Sequence, residues 1–483
     1  MKSLDADRGR VSAAAALPAA TSERSAVLAA GGLERAIGRP APAWTVDDLV
    51  ATFVEGGFRL VALMHVGGDG WLKTLDFVPR SRAHLADVLE GGERADGSSL
   101  FPGLGIRPGA SDVVLRPRLE TAFVDPFAPL PTLAVLCGHA GRDGAPLPQS
   151  PDTLVRRAHE RLVRETGVEL HALGEIEYFL GRRANENDVY GADDRGYHAT
   201  APFVFGEALR RRALAALAEI GVPVKYGHAE VGYVLAEEAG DGMIWEQHEI
   251  ELALAPLPAA ADGIALTQWV LRRLAHEEGL RASFEPVLRR GHAGTGLHVH
   301  LSPVAGGAHD PVRGPGGRLT DPARWLIGGL VRHGAALMAF GNRVESSFVR
   351  LAQAREAPSA VSWGEFDRGA LVRLPILATH PDGRPVSPPT VEFRLPDGSA
   401  HPHLLLAGVA QAMAAGRELA DLDERLAAAE AARLREGGGR GAAVPRSFRD
   451  VAAALRAERA AFEAGGVFPA DMVEAVAARL ESL

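Results

Sequence analysis

The chain has 483 residues, of which 47% are hydrophobic and 23% are charged, so it can bury a large core and two domains are expected. A net charge of -9 argues against a nucleic-acid-binding surface and fits an enzyme that recruits metal cations to anionic substrates. The single cysteine, Cys137, excludes an intrachain disulfide and favours the cytoplasm, and no apolar run approaches the roughly 20 residues of a membrane helix.

The N-terminal part predicts an arm followed by a small α+β domain. Residues 1–44 are rich in Ala, Ser and Pro without a strongly apolar segment, so they predict a mobile or weakly helical arm rather than a signal peptide. A helix is predicted from Thr45, because the acids that follow it suit the helix dipole. Phe58–Val66 and Trp71–Val78 predict a hairpin. We assign these elements to a domain over residues 45–140.

A Gly/Pro-rich connection precedes the second predicted domain, which covers residues 146–483. Helical spacing predicts helices at Pro151–Thr166, Gly206–Ile220, Ala261–Glu278 and Pro322–Gly341. Strand patterns lie at Val168–Leu180, Val222–Val234, Met243–Leu254, within Phe284–Ser302, at Leu371–Leu377 and at Val391–Leu395. The last third is predicted to be helical, with a flexible loop at Arg433–Arg446.

Two glutamates lie on one face of the first predicted strand of this domain. Glu175 and Glu177 are two residues apart, and side chains at that spacing point the same way in a strand. They could face solvent on an edge strand, which is the ordinary alternative. The strand is largely apolar, however, and two like charges on a buried face need a cation between them. Both interpretations are open from this strand alone.

The hairpin predicted over Val222–Leu254 carries further acids. Glu249 and Glu251 share a face of one strand, and Glu230 lies on its partner strand. For most of the hairpin acids, a polar and solvated hairpin is the expected structure. For Glu230 and Glu249, the charged groups on the other strands favour a shared cation site.

A glycine-rich strand carries two histidines on one face, His298 and His300. A pair of hydrogen-bonded core histidines is the ordinary alternative. A site in which carboxylates outnumber imidazoles suits Mg²⁺ or Mn²⁺ better than Zn²⁺. Such a site is typical of metal-bound nucleotide phosphates.

Arginines stand in apolar strand sequence near the end of the second domain. Arg368 and Arg373 flank an apolar stretch, and Arg394 follows Glu392 within a strand. The abundance of arginine along the whole chain is the ordinary alternative. Arginines within apolar strands nevertheless need anionic partners, such as carboxylate or phosphate oxygens.

Taken in order, these segments resemble the glutamine synthetase family from about Thr45 to Leu483. The matching motifs are Asp96–Ser99, Gly174–Phe179, Ala229–Val231, Gln247–Ile250, Gly294–Ser302, Arg350–Leu351, Glu356–Pro358, Arg368–Pro375, Val391–Asp397 and Ala464–Phe468. The short bacterial form of the family is the most similar in length. The resemblance implies an α+β fold, with a small β-grasp-like N-terminal domain and a large catalytic domain. The catalytic domain is expected to have an antiparallel sheet and flanking helices.

The resemblance implies a site with two divalent metals, Mg²⁺ or Mn²⁺, and ATP. One metal would help to bind the carboxylate that is activated, and its ligands would be Glu177, Glu230 and Glu249. The second would bridge the nucleotide phosphates, and its ligands would be Glu175, His298 and Glu392.

The resemblance also implies roles around ATP and the transferred phosphoryl group. Arg368 and Arg373 would stabilise charge on that group. His300 and Ser302 would lie near ATP. Glu356 would lie on a flap that closes over the intermediate.

Further residues are implied to bind the amino acid and the amine. Arg350, Arg394 and Gly294 would contact the amino acid. Asp96 would deprotonate ammonium, with Ser99, Tyr197 and Glu230 around the same site.

The activity implied is the ATP-dependent ligation of ammonia to L-glutamate through a γ-glutamyl phosphate, which gives L-glutamine. The family forms homo-oligomers with active sites between subunits, usually a dodecamer of two stacked hexameric rings. Asp96 would then serve a neighbouring subunit. No nucleic acid or membrane partner is expected.

Some positions depart from the family pattern. Ala293 stands where the family usually has an Asn that holds the amino group of the substrate. The flap reads Ala352–Glu356 rather than Val-Pro-Gly-Tyr-Glu, and Asp367 replaces an Asn. The hairpin over residues 231–248 is longer than usual. These changes concern the substrate and the amine entrance rather than the metal ligands.

Two alternatives therefore stay open. One is a γ-glutamyl amide ligase for a larger amine, such as a polyamine or ethanolamine, which the altered flap motivates although its Arg355 would repel a polycation. The other is an inactive paralogue with an assembly or regulatory role, which the retention of all six metal-ligand positions opposes.

Overall fold

The computed structural model describes residues 31–106, 111–185, 195–353, 357–430 and 442–483. In these ranges the chain forms two β-sheets and a larger set of helices. The α+β class predicted from the sequence is confirmed. None of the helices in the described ranges is both long enough and apolar enough to cross a membrane.

The first sheet has six strands in the order β2-β1-β6-β4-β3, with β5 paired to β6. The strands are β1 (Leu60–Val66), β2 (Leu72–Phe77), β3 (Glu93–Asp96), β4 (Asp112–Pro117), β5 (Phe123–Val124) and β6 (Thr132–Ala140). Strands β1 and β6 are parallel, and the other pairs are antiparallel. The helices beside this sheet are α1 (Gly32–Ile37), α2 (Val46–Glu55), α3 (Arg82–Gly91) and α4 (Gly97–Leu100), with 3₁₀ turns at Ala41–Ala43 and Leu119–Thr121.

Helix α2 begins where the sequence predicts, at a capping box. The Thr45 amide donates to Asp48 Oδ2 at 2.8 Å, and the Asp48 amide donates to Thr45 Oγ1 at 3.3 Å. These two bonds satisfy amides that the first helical turn leaves without partners.

The structure differs from the prediction over the end of the N-terminal arm. Leu33 and Trp44 are buried in the apolar core of the first sheet. Burying these two large side chains outweighs the small, polar composition around them. Residues 31–44 therefore belong to the N-terminal core, whereas residues 1–30 lie outside the described part.

The second sheet has ten strands in the order β14-β15-β16-β12-β7-β9-β8, with β10 and β11 paired to β7 and β13 paired to β12. All described pairs are antiparallel except β14 with β15. The strands are β7 (Val168–Arg183), β8 (Val224–Val234), β9 (Met243–Leu252), β10 (Ala255–Pro256), β11 (Arg281–Ser283), β12 (Leu297–Ala305), β13 (Ala308–His309), β14 (Trp363–Glu365), β15 (Val372–Leu374) and β16 (Val391–Phe393).

Long apolar helices pack with this sheet and with one another to form the main core. The helices are α5 (Pro151–Thr166), α6 (Glu207–Glu219), α7 (Ala236–Ala239), α8 (Leu257–Glu277), α9 (Asp321–Gly341), α10 (Glu345–Gln353), α11 (Pro402–Arg417), α12 (Leu422–Ala429), α13 (Phe448–Ala457), α14 (Arg459–Glu463) and α15 (Ala470–Glu481), with 3₁₀ turns at Pro315–Gly317 and Ala464–Gly466. Helices α9 and α11 approach so closely that a Cβ on Gly416 would lie 2.1 Å from the Trp325 carbonyl oxygen.

The predicted helices and longer strands of the second part are present in the structure, although several of their ends differ, and the short strands β10, β11, β13 and β14 were not predicted. Helix α5 has the predicted bounds, and β7 runs three residues beyond the predicted Leu180. Within Phe284–Ser302 the strand begins only at Leu297, because the glycine-rich segment before it forms loops. The strand predicted at Leu371–Leu377 is confined to Val372–Leu374.

Buried polar contacts fix the first sheet to the helices of the second part. Arg118 binds both oxygens of Asp262 on α8, at 2.7 and 3.1 Å. His401 Nε2 lies 3.0 Å from the Gly67 carbonyl oxygen, and Arg343 Nη1 donates to the Asp69 carbonyl oxygen at 2.8 Å. The division into domains at 45–140 and 146–483 remains a prediction.

Candidate active site

A cavity of about 620 Å³ opens against the second sheet. Its walls come from strands β7, β8, β9, β12 and β15 and from the loops around residues 197, 368, 375–377 and 387–390. The predicted site residues that line it are Glu175, Glu177, Tyr197, Glu230, Glu249, His298, His300, Arg368, Arg373 and Arg394. The fold thus brings together side chains that lie far apart in the sequence.

The strand register explains why these side chains meet. Directly opposed residues in antiparallel strands have neighbouring side chains on one face. The opposed pairs are His298 with Glu175, Glu177 with Glu249, His228 with Glu249, and His300 with Glu392. One residue of slip in any of these pairings would turn the charged set away from the cavity.

Glu175 lies at the centre of the first cluster of possible metal ligands, with His300 and Glu392. Its two oxygens lie 2.9 Å from His300 Nε2 and 3.0 Å from His298 Nδ1. Burial would raise the pKa of Glu175, but the two histidines hold it well below the usual value. Burial would likewise lower the pKa of His300, and Glu175 raises it instead. The carboxylate is therefore ionised and oriented by the histidine strand.

The second cluster consists of His228, Glu230 and Glu249. His228 Nε2 lies 3.3 Å from Glu249 Oε1, and His228 Nδ1 lies 3.7 Å from Glu230 Oε1. Burial lowers the pKa of His228, so its imidazole is neutral and can act as a ligand. Burial and then the neighbouring carboxylates raise the pKa of Glu249 well above its usual value. This concentration of negative charge is what a divalent cation would relieve.

Glu177 lies between the two clusters and is held by hydrogen bonds. Gln247 Nε2 donates to its Oε2 at 3.0 Å, and the Gly296 amide donates to the same oxygen at 2.7 Å. The approach of Gly296 requires glycine, since a Cβ there would lie 2.7 Å from His298 Nε2. These donors leave the other oxygen of Glu177 available to a ligand.

The donor set fits divalent metal ions of the Mg²⁺ and Mn²⁺ type. Each cluster has two carboxylates and one imidazole. Within each cluster, the possible ligand atoms lie within 4.8 Å of one another. This is the chemistry preferred by hard divalent cations and by Mn²⁺. The first cluster contains His300, which the resemblance assigns to the surroundings of ATP, and His298 Nδ1 also lies 3.8 Å from Glu392 Oε1.

Arginines form the positive side of the cavity. Arg373 Nη1 donates to Glu392 Oε2 at 2.8 Å, and Arg394 donates to the other oxygen of the same carboxylate. Glu392 is fully buried behind the cavity wall, and burial opposes its ionisation, but His300 and Arg394 keep its pKa lowered. Arg368 forms a hydrogen bond with Tyr197.

Three predicted contact residues lie behind the cavity wall. Arg350 is buried, with Nη2 3.3 Å from His298 Nε2 and Nη1 donating to the Leu395 carbonyl oxygen at 3.1 Å. Ser302 is fully buried, with its hydroxyl 2.9 Å from His309 Nδ1. The Gly294 carbonyl oxygen accepts from Gln247 Nε2 at 2.9 Å. In a single chain, these residues support the cavity rather than line it.

Asp96 ends strand β3 of the first sheet and Ser99 lies on helix α4, and neither lines the cavity of its own chain. The hydroxyls of Ser111 and Ser99 each donate to Asp96 at 2.6 Å, and that of Ser98 donates at 2.8 Å. These bonds hold the pKa of Asp96 well below its usual range. Glu356, the predicted flap residue, lies outside the described residues.

The expectation that most hairpin acids are solvated is wrong. Strand β9 is buried along its whole length. On its opposite face, Glu246 accepts from the Phe205 amide at 2.8 Å and pairs with His248 at 2.8 Å. Backbone amides and an imidazole thus replace water as partners of the buried acid.

Four residues of the site were missed as candidates: Lys225, His228, Gln247 and Glu251. Each lies beside a predicted metal ligand in the structure. His228 is two residues from Glu230, and Glu251 is two residues from Glu249. Glu251 was recognised by its spacing from Glu249 but was expected to be solvated, and the same two-residue period of a strand could have found His228. The roles of Lys225 and Gln247 depend on contacts across strands, which the sequence spacing does not show.

Comparisons with known proteins agree with this geometry. The family described as glutamine synthetase, catalytic domain, matches residues 148–478. The glutamine synthetase of Mycobacterium tuberculosis (strain ATCC 25618 / H37Rv) is 31% identical over 373 residues, which cover 75% of this chain and 78% of that protein. The glutamine synthetase of Thermus thermophilus is 33% identical over 356 residues, which cover 71% and 73%.

Solved structures share the fold at lower identity. The cryo-EM structure of Plasmodium falciparum glutamine synthetase has a TM-score of 0.76 at 18% identity, covering 91% of this chain and 95% of that one. A structure titled GmaS/ADP complex has a TM-score of 0.69 at 21% identity, covering 90% and 95%. At these identities the likeness concerns the fold alone.

Proposed function

This chain belongs to the glutamine synthetase family of ligases, and we propose that it uses ATP to join ammonia to L-glutamate, giving L-glutamine. The family generally uses ATP and divalent metals. One observation carries the proposal: two adjacent carboxylate and histidine clusters share a cavity with three arginines. Such a cavity suits the meeting of a polyphosphate with a carboxylate substrate.

The chemistry explains why both signs of charge are needed. Ammonia cannot displace oxide from a carboxylate, because oxide is a poor leaving group. ATP transfers its γ-phosphoryl group to the γ-carboxylate of glutamate, and ammonia then displaces phosphate from the γ-glutamyl phosphate. Two anions must approach for the first step, so fixed positive charge lowers its barrier.

The residues of this chain would divide that work. One metal would be held by Glu177, Glu230 and Glu249, with His228 nearby, and a second by Glu175 and Glu392 with His298 or His300. Bound there, the metals would neutralise phosphate and carboxylate oxygens.

Arg368 and Arg373 would meet the transferred phosphoryl group from the opposite wall. Arg394 would contact the amino acid, and its contact with Glu392 fixes its position. Arg350 would hold the ring of His298. If Arg350 contacts the substrate, it would do so beside His298. Glu356 would close the site, because the acyl phosphate must be protected from water.

We place Asp96 and Ser99 at the active site of a neighbouring subunit. They lie outside the cavity of their own chain, and Asp96 is exposed with an ionised carboxylate. An ionised carboxylate of such low basicity suits holding an ammonium cation better than removing its proton. This position is the one that an active site shared between subunits would require, as the predicted oligomer has.

The oligomeric site can be tested by mixing two inactive variants. Asp96→Asn and Glu177→Ala impair different components, which in an intersubunit site come from different chains. Co-expression of the two variants should restore part of the activity, since some sites then receive both native residues. A mixture as inactive as either parent would place both residues in the site of one chain and refute the arrangement.

A larger amine is the second candidate, and the aromatic rings near the amine side favour it. Tyr197 stacks on His198 with a centroid distance of 4.3 Å, and the Tyr197 and His228 rings meet edge to face with a centroid distance of 5.4 Å. Aromatic faces bind alkylammonium cations. Tyr197 is also half exposed, which leaves room around it.

The decisive experiment measures phosphate release from ATP with glutamate and a panel of amines. Ammonia-dependent turnover with Mg²⁺ or Mn²⁺ is the expected result. Turnover only with a larger amine would show that this amine, and not ammonia, is the substrate. No turnover from the folded oligomer would indicate an inactive paralogue. Glu177→Ala should reduce activity more than ~100-fold, whereas the surface control Glu237→Ala, on α7 between β8 and β9, should leave it unchanged.

A further inference from the structure

A third group of carboxylates lies in the same cavity and has a lysine as its counter-ion. One oxygen from each of Glu175, Glu249 and Glu251 lies within 4.8 Å of the others. Glu251 is buried, and Lys225 Nζ donates to its Oε1 at 2.6 Å. The Tyr226 hydroxyl also forms a hydrogen bond with Glu251. A cation of the chain itself therefore lies where a metal ion could otherwise bind.

The lysine is not explained by the general basicity of the chain. Lysine occurs only at Lys2, Lys73 and Lys225, and arginine supplies the remaining positive charge. The ammonium is a compact point charge that fits a single carboxylate oxygen. A protonated ammonium has no lone pair and cannot join the ligands of a metal.

The other two clusters differ in this respect. In the first cluster the guanidinium groups bind Glu392, which is fully buried, and the second cluster has the imidazole of His228, which can itself bind a metal. The Lys225 side chain, by contrast, is 40% exposed and lines the cavity. Its charge thus reaches the interior of the site.

We propose that Lys225 takes the place of a third divalent cation: its ammonium neutralises the cluster of Glu175, Glu249 and Glu251 and restricts metal binding to the other two clusters. The proposal rests on the proposed function, because it assumes that those two clusters bind divalent ions. Lys225 thus determines where the metal ions bind. It neutralises Glu251 and leaves Glu175 and Glu249 available to the metals of the other two clusters.

The test counts Mn²⁺ ions bound per chain by equilibrium dialysis of the full-length oligomer. Lys225→Met should bind one more Mn²⁺ per chain than the wild type, because the third cluster loses its counter-ion. Lys225→Arg should keep the wild-type count. Lys73→Met is the matched control: it removes the same charge from a lysine that pairs with Asp69 on the first sheet, and it should change nothing.

The double variant Lys225→Met with Glu251→Gln should return to the wild-type count, since it removes the acid together with the lysine. An equal count for Lys225→Met and the wild type, or a wild type that already fills three sites, would overturn the proposal. A wild type that binds no Mn²⁺ would instead refute the metal sites of the proposed function. If Lys225→Met fails to assemble, Lys225→Gln provides the same comparison.

Discussion

Glu249 should release a proton when a divalent metal binds. Its carboxyl is buried, and four other carboxylates lie around it, namely Glu175, Glu177, Glu230 and Glu251. Both burial and repulsion raise its pKa in the metal-free protein. A metal binds the carboxylate form, so binding must displace the proton.

The magnitude follows from linkage. A glutamate with the ordinary pKa of about 4.3 would already be ionised near pH 6 and would release nothing. Below the raised pKa of Glu249, each pH unit should change the Mn²⁺ affinity up to about tenfold, or about 1.4 kcal/mol, with tighter binding at higher pH. The raised pKa of Glu249 also stabilises the metal-free folded protein, and this stabilisation is complete below the pKa that Glu249 has in the unfolded chain. That stabilisation is lost as the pH rises through the folded pKa.

The assay is isothermal titration of Mn²⁺ into the metal-free oligomer in two buffers with different enthalpies of ionisation. The difference in heat gives the number of protons released, which should be larger for the wild type than for Glu249→Gln. Glu237→Gln, on the surface of the same hairpin, should behave as the wild type. Equal proton release from the wild type and Glu249→Gln would refute the reasoning.

Three further predictions concern buried groups around the site. Glu392→Gln leaves two guanidinium groups without their carboxylate, so it should lower the unfolding free energy by about 3–5 kcal/mol, measured by denaturant titration. Gly296→Ala should lower kcat/KM about 100-fold, because its Cβ displaces the ligands beside it, whereas Gly91→Ala, which has open space, should have no effect on kcat/KM. Burial lowers the pKa of His65 to about 4 and that of His139 to about 3. The stability they provide is complete above about pH 6.5 and is lost as the pH falls towards those values, so His139→Gln should weaken the pH dependence of the melting temperature between pH 6 and pH 4.

The sequence located most of the candidate site because strands impose a period of two. Glu175 with Glu177, and His298 with His300, were recognised from that spacing, and the cavity contains all four. The arginines could be predicted for a related reason: Arg373 and Arg394 stand in apolar strands, and both contact the buried Glu392. In each case a charge within apolar sequence required a partner.

Other features could not be predicted, because they depend on which strand lies beside which. The sequence does not show that Lys225 reaches Glu251, or that Gln247 holds Glu177. The burial of Glu246 was missed for the same reason, since its partners are amides of a distant loop.

The sequence alone determined the fold class, the family and the residue types at the site, because these follow from local periodicity and from ordered motifs. Only the tertiary structure decided how the ligands are grouped: β7 lies between β12 and β9, so Glu175 faces a histidine on one side and carboxylates on the other. Hydrogen bonding between strands sets that register, and the register decides which charges share a cation and which are neutralised by the protein itself.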